Sequence, residues 1–234
     1  MEARMADVSR GVAWFTGGWR IFMKNPGVWV VLGVIFIASL FVLALIPLLG
    51  QLLMALFAPV LSAGLLHAAR AADNERPLEI SHALQGFREK EKLTPLLSLG
   101  GVALAGLILS IALAFAIGGA SMVAMMAGRH EMGGGAAAGV LVALLAVLLV
   151  QLVVAMALVY AVPLVMFRGV PATQALGSSL KACLRNFLPL TVFGVIYLFV
   201  AVAATVPFFL GWIVLLPASA GMLYLSYKDL YETA

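Results

Sequence analysis

Six stretches of this chain are apolar over a length that reaches, or nearly reaches, across a lipid bilayer. About 20 apolar residues in a helix span a hydrocarbon core of roughly 30 Å. Hydrophobic residues make up 64% of the 234 residues and charged residues 10%. A chain with so few charged residues cannot cover the surface of a soluble protein of this size. We predict an all-α integral membrane protein, one membrane domain over residues 1–234 with six transmembrane helices. The spans run approximately from Gly27 to Ile46, Leu52 to Ala69, Pro95 to Ile117, Gly139 to Phe167, Phe187 to Phe208 and Trp212 to Tyr227.

The basic residues fall almost entirely on one side of these spans. Of the 14 Lys and Arg residues, 13 lie before span one, between spans two and three, between four and five, or after six, and only Arg129 lies on the other side. The positive-inside rule then predicts that both termini are cytoplasmic. We attribute the net charge of +4 to the basic residues that set the topology and attract anionic headgroups, and not to a nucleic-acid binding surface. We expect membrane lipids as partners and no nucleic acid.

The chain contains an internal repeat at a constant offset of 161 residues. Setting Trp14–Asn25 on Ala175–Asn186 matches cations with cations, as in Arg20 and Lys181, just before an apolar span in both cases. We predict three repeats, each an amphipathic interfacial helix followed by a transmembrane hairpin. They are parallel, because each unit begins and ends on the same side of the membrane. The repeat units are about 8–70, 78–168 and 172–228, and the middle one has diverged most.

The predicted surface helices are amphipathic. Apolar side chains recur at three- and four-residue spacing while cations follow a separate stripe, so the apolar face is suited to the membrane interface. The apolar faces are Val12, Phe15, Trp19 and Phe22 in the first helix and Leu176, Leu180, Leu184 and Phe187 in the third. Such helices either anchor the hairpins, which we favour, or bind lipid headgroups and sense curvature.

Each even-numbered span contains an internal proline: Pro59, Pro163 or Pro217. Proline removes one amide donor and clashes with the preceding turn. We predict that these helices bend or unwind and open a mainly apolar cavity towards the cytoplasmic leaflet; the alternative is three tolerated kinks in a closed bundle. Nearby cations would bind an anionic headgroup or an amphipathic acid. The candidate binding residues are Arg70, Arg168, Lys181 and Arg185, with Lys228 beside them.

Polar residues inside the spans are few. No Asp, Glu, Lys or Arg lies near the middle of any span, which argues against transport driven through membrane carboxylates. Gln151 lies in the middle of span four. It is either an interhelical hydrogen-bond partner, worth about 1 kcal/mol in membrane proteins, or a contact to a ligand, and we include it among the candidate binding residues.

The sequence does not indicate a catalytic or metal site. His67, His82 and His130 lie in separate segments, and no His or Cys pair has metal-ligand spacing. Glu79 and His82 lie three residues apart, which could suit a metal but suits a solvated helix face better. Cys183 is the single cysteine and occupies an apolar position of a surface helix. We expect no enzyme activity, no cofactor and no bound metal.

Several short motifs recur in known membrane proteins. They are Gly11–Trp14 and Trp19–Phe22 in the first surface helix, the Asn25-Pro26 start of span one, and Tyr160–Gly169 at the end of span four. In these motifs the chain resembles a group of uncharacterised six-span bacterial inner-membrane proteins and, more distantly, the membrane domain attached to some glycerophosphodiester phosphodiesterases. The resemblance covers most of the chain and implies the bacterial inner membrane. It implies a membrane module near lipids and carries over no catalytic residue.

Two functions follow as hypotheses. The first is a non-enzymatic protein that handles lipids or transports an amphipathic or anionic small molecule through a cavity lined by interrupted helices. The second is a structural or accessory subunit of a membrane complex, whose partner is a second copy or another membrane protein. The small-residue face that would pack on such a partner is Gly100, Gly101, Ala105 and Gly106.

Overall fold

A computed structural model describes residues 2–126 and 134–232, with side chains described outside 120–126 and 134–136. Arg129 and His130 lie outside the described residues. All regular secondary structure in the described part is helical. The helices are α1 (Arg10–Lys24), α2 (Pro26–Ala44), α3 (Leu49–Asp73), a 3-10 helix (Ile80–Leu84), α4 (Gln85–Arg88), α5 (Lys90–Met126), α6 (Gly134–Leu158), α7 (Ala161–Arg168), α8 (Ala172–Arg185), α9 (Phe187–Thr205) and α10 (Trp212–Tyr231).

Five helical segments of the described chain are long and apolar enough to cross a membrane. They are Pro26–Ala44, Leu49–Asp73, Lys90–Gly119, Ala137–Arg168 and Phe187–Thr205. The sixth predicted span, Trp212–Tyr227, is helical within α10 but is not among them. This helix packs against α1, α2, α3 and α9 and buries residues that carry polar groups, such as Tyr224 and Ser226. Because neighbouring helices surround it, its surface need not be uniformly apolar, which lowers its mean hydropathy.

Each surface helix packs on the second helix of a hairpin. α1 lies on α10, the 3-10 helix and α4 lie on α3, and α8 lies on α6 and α7. Glycines allow close approach at two of these contacts. A Cβ added at Gly18 would lie under 3.0 Å from Met222, and one added at Gly86 would overlap the carbonyl oxygen of Val60. Larger residues at these two positions would push the surface helices away from the bundle.

Of the apolar side chains predicted to face the membrane interface, only Phe22 is among the buried residues of α1. Trp14, Gly18 and Ile21 face the bundle, whereas Val12 and Trp19 remain 45% and 42% exposed. Tight helix packing needs small residues at the contact, which favours the side of α1 that carries glycine. The side with Val12 and Trp19 is left facing outwards.

We predicted a bent or unwound helix at each of three prolines. Within the described residues, only one of the three lies beside a break in its helix. α3 and α10 continue through Pro59 and Pro217, whereas α6 ends at Leu158 and α7 begins at Ala161, two residues before Pro163. Proline removes one amide donor, and a helix packed on several sides can continue through that loss.

The hydroxyl of Ser179 in α8 completes the hydrogen bonding at the break between α6 and α7. In a continuous helix, the amide of Tyr160 would donate to the carbonyl of Met156. Here the Tyr160 amide donates to Ser179 Oγ at 3.0 Å, and that hydroxyl donates to the Met156 oxygen at 2.7 Å. One side chain from another helix therefore satisfies both backbone groups of the opened turn.

The turns of the first and third hairpins share an unusual backbone conformation. Leu48 and Phe208 each follow a proline and have positive φ values of 60° and 51°. Residues other than glycine seldom adopt this region. Both side chains point outwards, with Leu48 81% and Phe208 92% exposed. The two turns thus share a positive φ directly after a proline, and the third turn has a second positive φ at Phe209.

The buried core lies towards the end of the bundle that carries the basic residues. The second half of α3, the whole of α7 up to Met166, and the C-terminal half of α10 supply most of it. Its largest fully buried side chains include Trp14, Trp29, Tyr160 and Tyr224. This end is therefore the best packed part of the molecule and the place to look for a formed site.

Candidate binding site at the basic end of the bundle

The C-terminal end of α10 is held by residues near the N-terminus. The buried carboxylate of Asp229 accepts hydrogen bonds from Arg10 Nε at 2.6 Å and from the Trp14 indole nitrogen at 2.8 Å, and it also pairs with Arg4. Burial alone would raise the pKa of Asp229, but these donors stabilise its charged form and lower the pKa below the ordinary value. Asp229 is therefore an ionised anchor that is already fully engaged.

Further contacts fasten the same end. Lys228 pairs with Asp73 at 2.6 Å and so joins α10 to α3. The Asn186 side chain accepts from the amide of Ala6 at 2.7 Å and donates to the carbonyl of Arg4 at 3.0 Å, which ties the N-terminal segment to the start of α9. Several predicted surface cations are thus committed to structural contacts.

A cavity of about 430 Å³ lies at this end. It is enclosed by the last turns of α3, the connection that follows, the 3-10 helix, the junction of α4 and α5, and the end of α7. Charged and titratable side chains dominate its lining. They are the cations Arg70, Arg76 and Lys92, the imidazoles His67 and His82, and the carboxylates Glu79 and Glu89. The cavity is therefore not the mainly apolar one predicted from the sequence.

The guanidinium of Arg70 lies over an aromatic ring. Its guanidinium carbon lies 4.7 Å from the centroid of Phe167, which also lines the cavity. Within the described residues, neither Arg70 nor Arg76 has a carboxylate at ion-pair distance. Stacking on an aromatic face fixes a guanidinium while leaving its N–H groups directed outwards for an oxyanion.

Lys92 is in a different position, because it pairs with Glu89 at 2.5 Å. Gln85 also donates to Glu89, at 3.0 Å. Partial burial would raise the pKa of Glu89, but these two donors lower it below the ordinary value. Glu89 is therefore a charged, occupied acceptor, and it balances Lys92 rather than Arg70 or Arg76.

The structure brings together two histidines that are 15 residues apart in the sequence. The ring centroids of His67 and His82 lie 5.1 Å apart. The backbone amide of Glu79 donates to Nδ1 of His82 at 3.3 Å, and the Glu79 side chain completes a capping box on the 3-10 helix. Partial burial lowers the pKa of His82, and the charge of Glu79 offsets this only in part. The Glu79–His82 pair is thus a local helix cap.

The candidate binding residues predicted from the sequence do not form one site. Arg70 lines the cavity. Arg168 donates to a backbone carbonyl at the end of α10, Arg185 pairs with Glu2 at 3.3 Å, and Lys181 is exposed on α8. Of this predicted set, Arg70 alone is a lining residue of the cavity.

Gln151 makes an interhelical contact and does not line the cavity. Its Nε2 donates to Oγ of Ser110 at 2.9 Å and joins α6 to α5. This is the first of the two roles that the sequence left open. Cys183 is buried, and its burial raises the pKa of the thiol to about 12, so the nucleophilic thiolate is scarce at neutral pH.

Sequence reasoning missed most of the lining. The missed cations and imidazoles are Arg76, Lys92, His67 and His82. One signal was available, because His67, Arg70 and Asn74 recur at three- and four-residue spacing on one face of α3. The remaining residues depend on how the connection after α3 turns back, through Glu75 with a positive φ of 57°. Among the described residues, no group of three or more His, Cys, Asp or Glu is arranged to hold a metal ion.

No protein-family model matches the chain, and no solved structure matches it. Nothing in the comparisons points to glycerophosphodiester phosphodiesterases. A probable inner membrane protein of Burkholderia thailandensis is 28% identical over 257 aligned positions, which cover 99% of this chain and 93% of that protein. The chain is thus similar along its whole length to a probable inner-membrane protein, and it carries several helices able to cross a membrane.

Proposed function

We propose that the chain is a multi-pass protein of the bacterial inner membrane with six spans and both termini in the cytoplasm. The clustering of described basic residues at one end of the bundle supports this orientation, since Lys and Arg are retained on the cytoplasmic side. Arg4, Arg10 and Lys228 meet at that end through Asp229, Asp73 and the end of α10. α10 supplies the sixth span, enclosed by its neighbours.

The six spans form three parallel repeats around a pseudo-threefold axis. The order of packing supports this arrangement. α8 lies on the last helix of the second unit, the 3-10 helix and α4 lie on the last helix of the first, and α1 lies on the last helix of the third, which closes the circle. Each surface helix therefore joins its own hairpin to the neighbouring one.

The register of the first and third surface helices supports the same proposal. At the offset of 161 residues, positions buried in α1 coincide with positions buried in α8. The coincident pairs are Trp14 and Ala175, Gly18 and Ser179, Ile21 and Ala182, and Phe22 and Cys183. The matched turns at Leu48 and Phe208 extend the likeness to the hairpins.

The function that the site supports best is binding of an anionic amphiphile by its headgroup in the basic cavity. One observation carries this proposal: Arg70 and Arg76, without carboxylate partners among the described residues, converge on one cavity of about 430 Å³. That volume is in the range of small-molecule sites. Guanidinium groups match the oxygens of phosphates and carboxylates in geometry and charge. The protein would thus handle lipids or related acids without catalysing a reaction.

An apolar groove beside the cavity supports an amphiphile over a wholly polar ion. The groove has a volume of about 630 Å³ and lies between α2, α3 and α4. The same short segment borders both spaces, because His82 and Glu89 line the cavity while Leu84 and Phe87 line the groove. A ligand with a charged head and an apolar tail would find both environments on either side of this segment.

Lipid titration followed by native mass spectrometry tests the proposal. We expect phosphatidylglycerol, which is anionic, to bind more tightly than zwitterionic phosphatidylcholine. Arg70→Gln should weaken phosphatidylglycerol binding about tenfold, as expected for the loss of one or two charge-assisted hydrogen bonds. Arg20→Gln, which removes an exposed cation on α1, is the matched control and should leave binding unchanged.

Equal losses in the two variants would mean diffuse attraction to a basic surface. The same holds if the protein has no preference between the two lipids. Either result would contradict the binding proposal and would favour the hypothesis that the protein is an accessory subunit of a membrane complex.

A further inference from the structure

The lining of the basic cavity combines fixed charges with two imidazoles, the side-chain type that can change its charge within the physiological pH range. The fixed charges are the cations Arg70, Arg76 and Lys92 and the carboxylates Glu79 and Glu89. With neutral imidazoles their formal sum is +1. A proton added to either histidine would raise this formal sum to +2.

The two imidazoles are not equivalent. His82 uses Nδ1 to accept the Glu79 amide, and a ring protonated at Nδ1 can no longer accept. Protonation of His82 would therefore cost the cap of the 3-10 helix. His67 makes no hydrogen bond within the described residues, and it faces His82, Arg70, Lys92 and Glu89.

We infer that an anionic headgroup binds in this cavity together with one proton, and that the His67 imidazole takes up that proton. The inference rests on the function proposed above and specifies how the same site is regulated. Its ligand class is a phosphate- or carboxylate-bearing anion, either as a lipid headgroup or as a free ion.

The physical basis is reciprocal linkage between the anion and the proton. An anion placed between Arg70 and Arg76 offsets the repulsion that a charged His67 meets from Arg70 and Lys92. Each bound species therefore favours the other by the same free energy. In the charged form both ring nitrogens of His67 are donors, which adds a hydrogen-bond donor for the headgroup.

Calorimetry of a ligand that does not itself titrate near neutral pH tests this inference. Short-chain phosphatidylglycerol is a phosphodiester, so protons taken up on binding belong to the protein. Titrations at one pH in two buffers of different ionisation enthalpy give the number of protons taken up. We expect up to about one proton per ligand, with affinity rising by at most tenfold per unit as the pH falls from about 8 to 6.

Variants separate the two histidines. His67→Gln should still bind phosphatidylglycerol but without proton uptake, and its affinity should not vary over this pH range. His82→Gln should retain the uptake. Uptake that persists in His67→Gln, or binding by the unaltered protein without uptake, would overturn the inference while leaving the proposed function intact. Failure of the unaltered protein to bind phosphatidylglycerol would instead overturn the proposed function.

Two further titrations test whether the anion is a lipid headgroup or a free ion, and whether the cavity binds a cation instead. Dimethyl phosphate carries the same charge without a tail. Binding of dimethyl phosphate as tight as that of the lipid, with the same proton uptake, supports a free anion, and much weaker binding supports a lipid headgroup. Zinc chloride tests the site for cations: tight zinc binding that His67→Gln abolishes, together with no phosphodiester binding, would overturn the inference.

Discussion

The indole nitrogen of Trp14 donates a hydrogen bond of 2.8 Å to the carboxylate of Asp229, although 215 residues separate them in the sequence. The bond joins the first surface helix to the end of the last helix. Both side chains are buried, and Arg10 adds a second donor to the same carboxylate. Because the two ends of the chain meet here, this contact closes the circle of helices.

Asp229→Asn should lower the free energy of unfolding by about 1–3 kcal/mol, because the amide cannot accept from all three donors. The loss is limited because Arg4 and Arg10 are about half-exposed, so their guanidinium groups regain hydrogen bonds to water. Thermal unfolding in detergent measures the change. Asp7→Asn, which alters an exposed carboxylate, is the control and should have a much smaller effect.

Acid should remove the same contribution in the unaltered protein. The folded-state pKa of Asp229 is lowered from its ordinary value of 3.8. The stabilisation is therefore fully present above about pH 4 and is lost as the pH falls through the lower folded-state pKa. The difference in stability between the unaltered protein and Asp229→Asn should shrink over that window. A difference that stays constant down to about pH 2 would show that Asp229 stabilises the fold by packing alone.

Gly18→Ala should destabilise the contact between α1 and α10 by about 1–3 kcal/mol, since a Cβ at this position would overlap Met222, including its backbone. Gly177→Ala on the related helix α8 is the control. No atom lies within 4 Å of its added Cβ, so this change should be neutral or stabilise by up to about 1 kcal/mol. Similar melting temperatures for the two variants would contradict the packing described for α1.

Ser179→Ala should cost about 1–3 kcal/mol, because it leaves the Tyr160 amide without its acceptor at the break between α6 and α7. Ser98→Ala in α5 serves for comparison. Its exposed hydroxyl donates to the carbonyl of Thr94 in the same helix, so its loss should cost much less. If the two variants unfold at the same temperature, the Ser179 bridge does not stabilise the interrupted helix.

The turns of the first and third hairpins should remain inside the membrane. α2 and α9 have 19 residues each, about 28 Å of helix, which only just spans a hydrocarbon core of roughly 30 Å. No charged residue occurs between Lys24 and Arg70 or between Arg185 and Lys228. Within the third turn, the amides of Val206, Phe208, Phe209 and Leu210 all have acceptors in the hairpin, as backbone in hydrocarbon requires.

Cysteine labelling of whole cells measures this placement, with Cys183→Ala as the background. Cysteines at Leu48 and Phe208 should be protected from a membrane-impermeant reagent. A cysteine at Met132, which lies outside the described residues, should react, because the positive-inside rule puts that connection in the periplasm. Labelling at Leu48 equal to that at Met132 would contradict the embedded turns. Labelling of a cysteine at the exposed position of Lys181 in place of Met132 would reverse the proposed orientation.

Much of the architecture could be predicted from the sequence, because it depends on local patterns. Apolar length predicts the five described helical segments that could cross a membrane, and the spacing of apolar and basic residues predicts the helices α1 and α8. The same patterns do not give the face of α1 that packs on the bundle, because they rank large apolar residues such as Trp19 first. Close helix packing uses small residues such as Gly18, and it leaves Trp19 exposed.

The site could not be predicted in the same way. His67 and His82 meet only because the connection after α3 folds back, and no periodicity encodes that path. The positions of the prolines did not predict where a helix breaks. Pro163 lies beside a break that Ser179 of another helix completes, whereas α3 continues through Pro59. Such features depend on tertiary partners, which local patterns do not contain.

Photo-crosslinking with an anionic lipid that carries a reactive group next to its phosphate would locate the bound headgroup directly. The protein is irradiated in membranes, and the crosslinked peptides are identified by mass spectrometry. We expect the crosslinks to be concentrated in residues 67–92 and at Phe167. Excess phosphatidylglycerol should compete with the reactive lipid, and Arg70→Gln but not Arg20→Gln should reduce the crosslinking. Crosslinks spread evenly over the surface helices, and equal in the two variants, would contradict a headgroup site in this cavity.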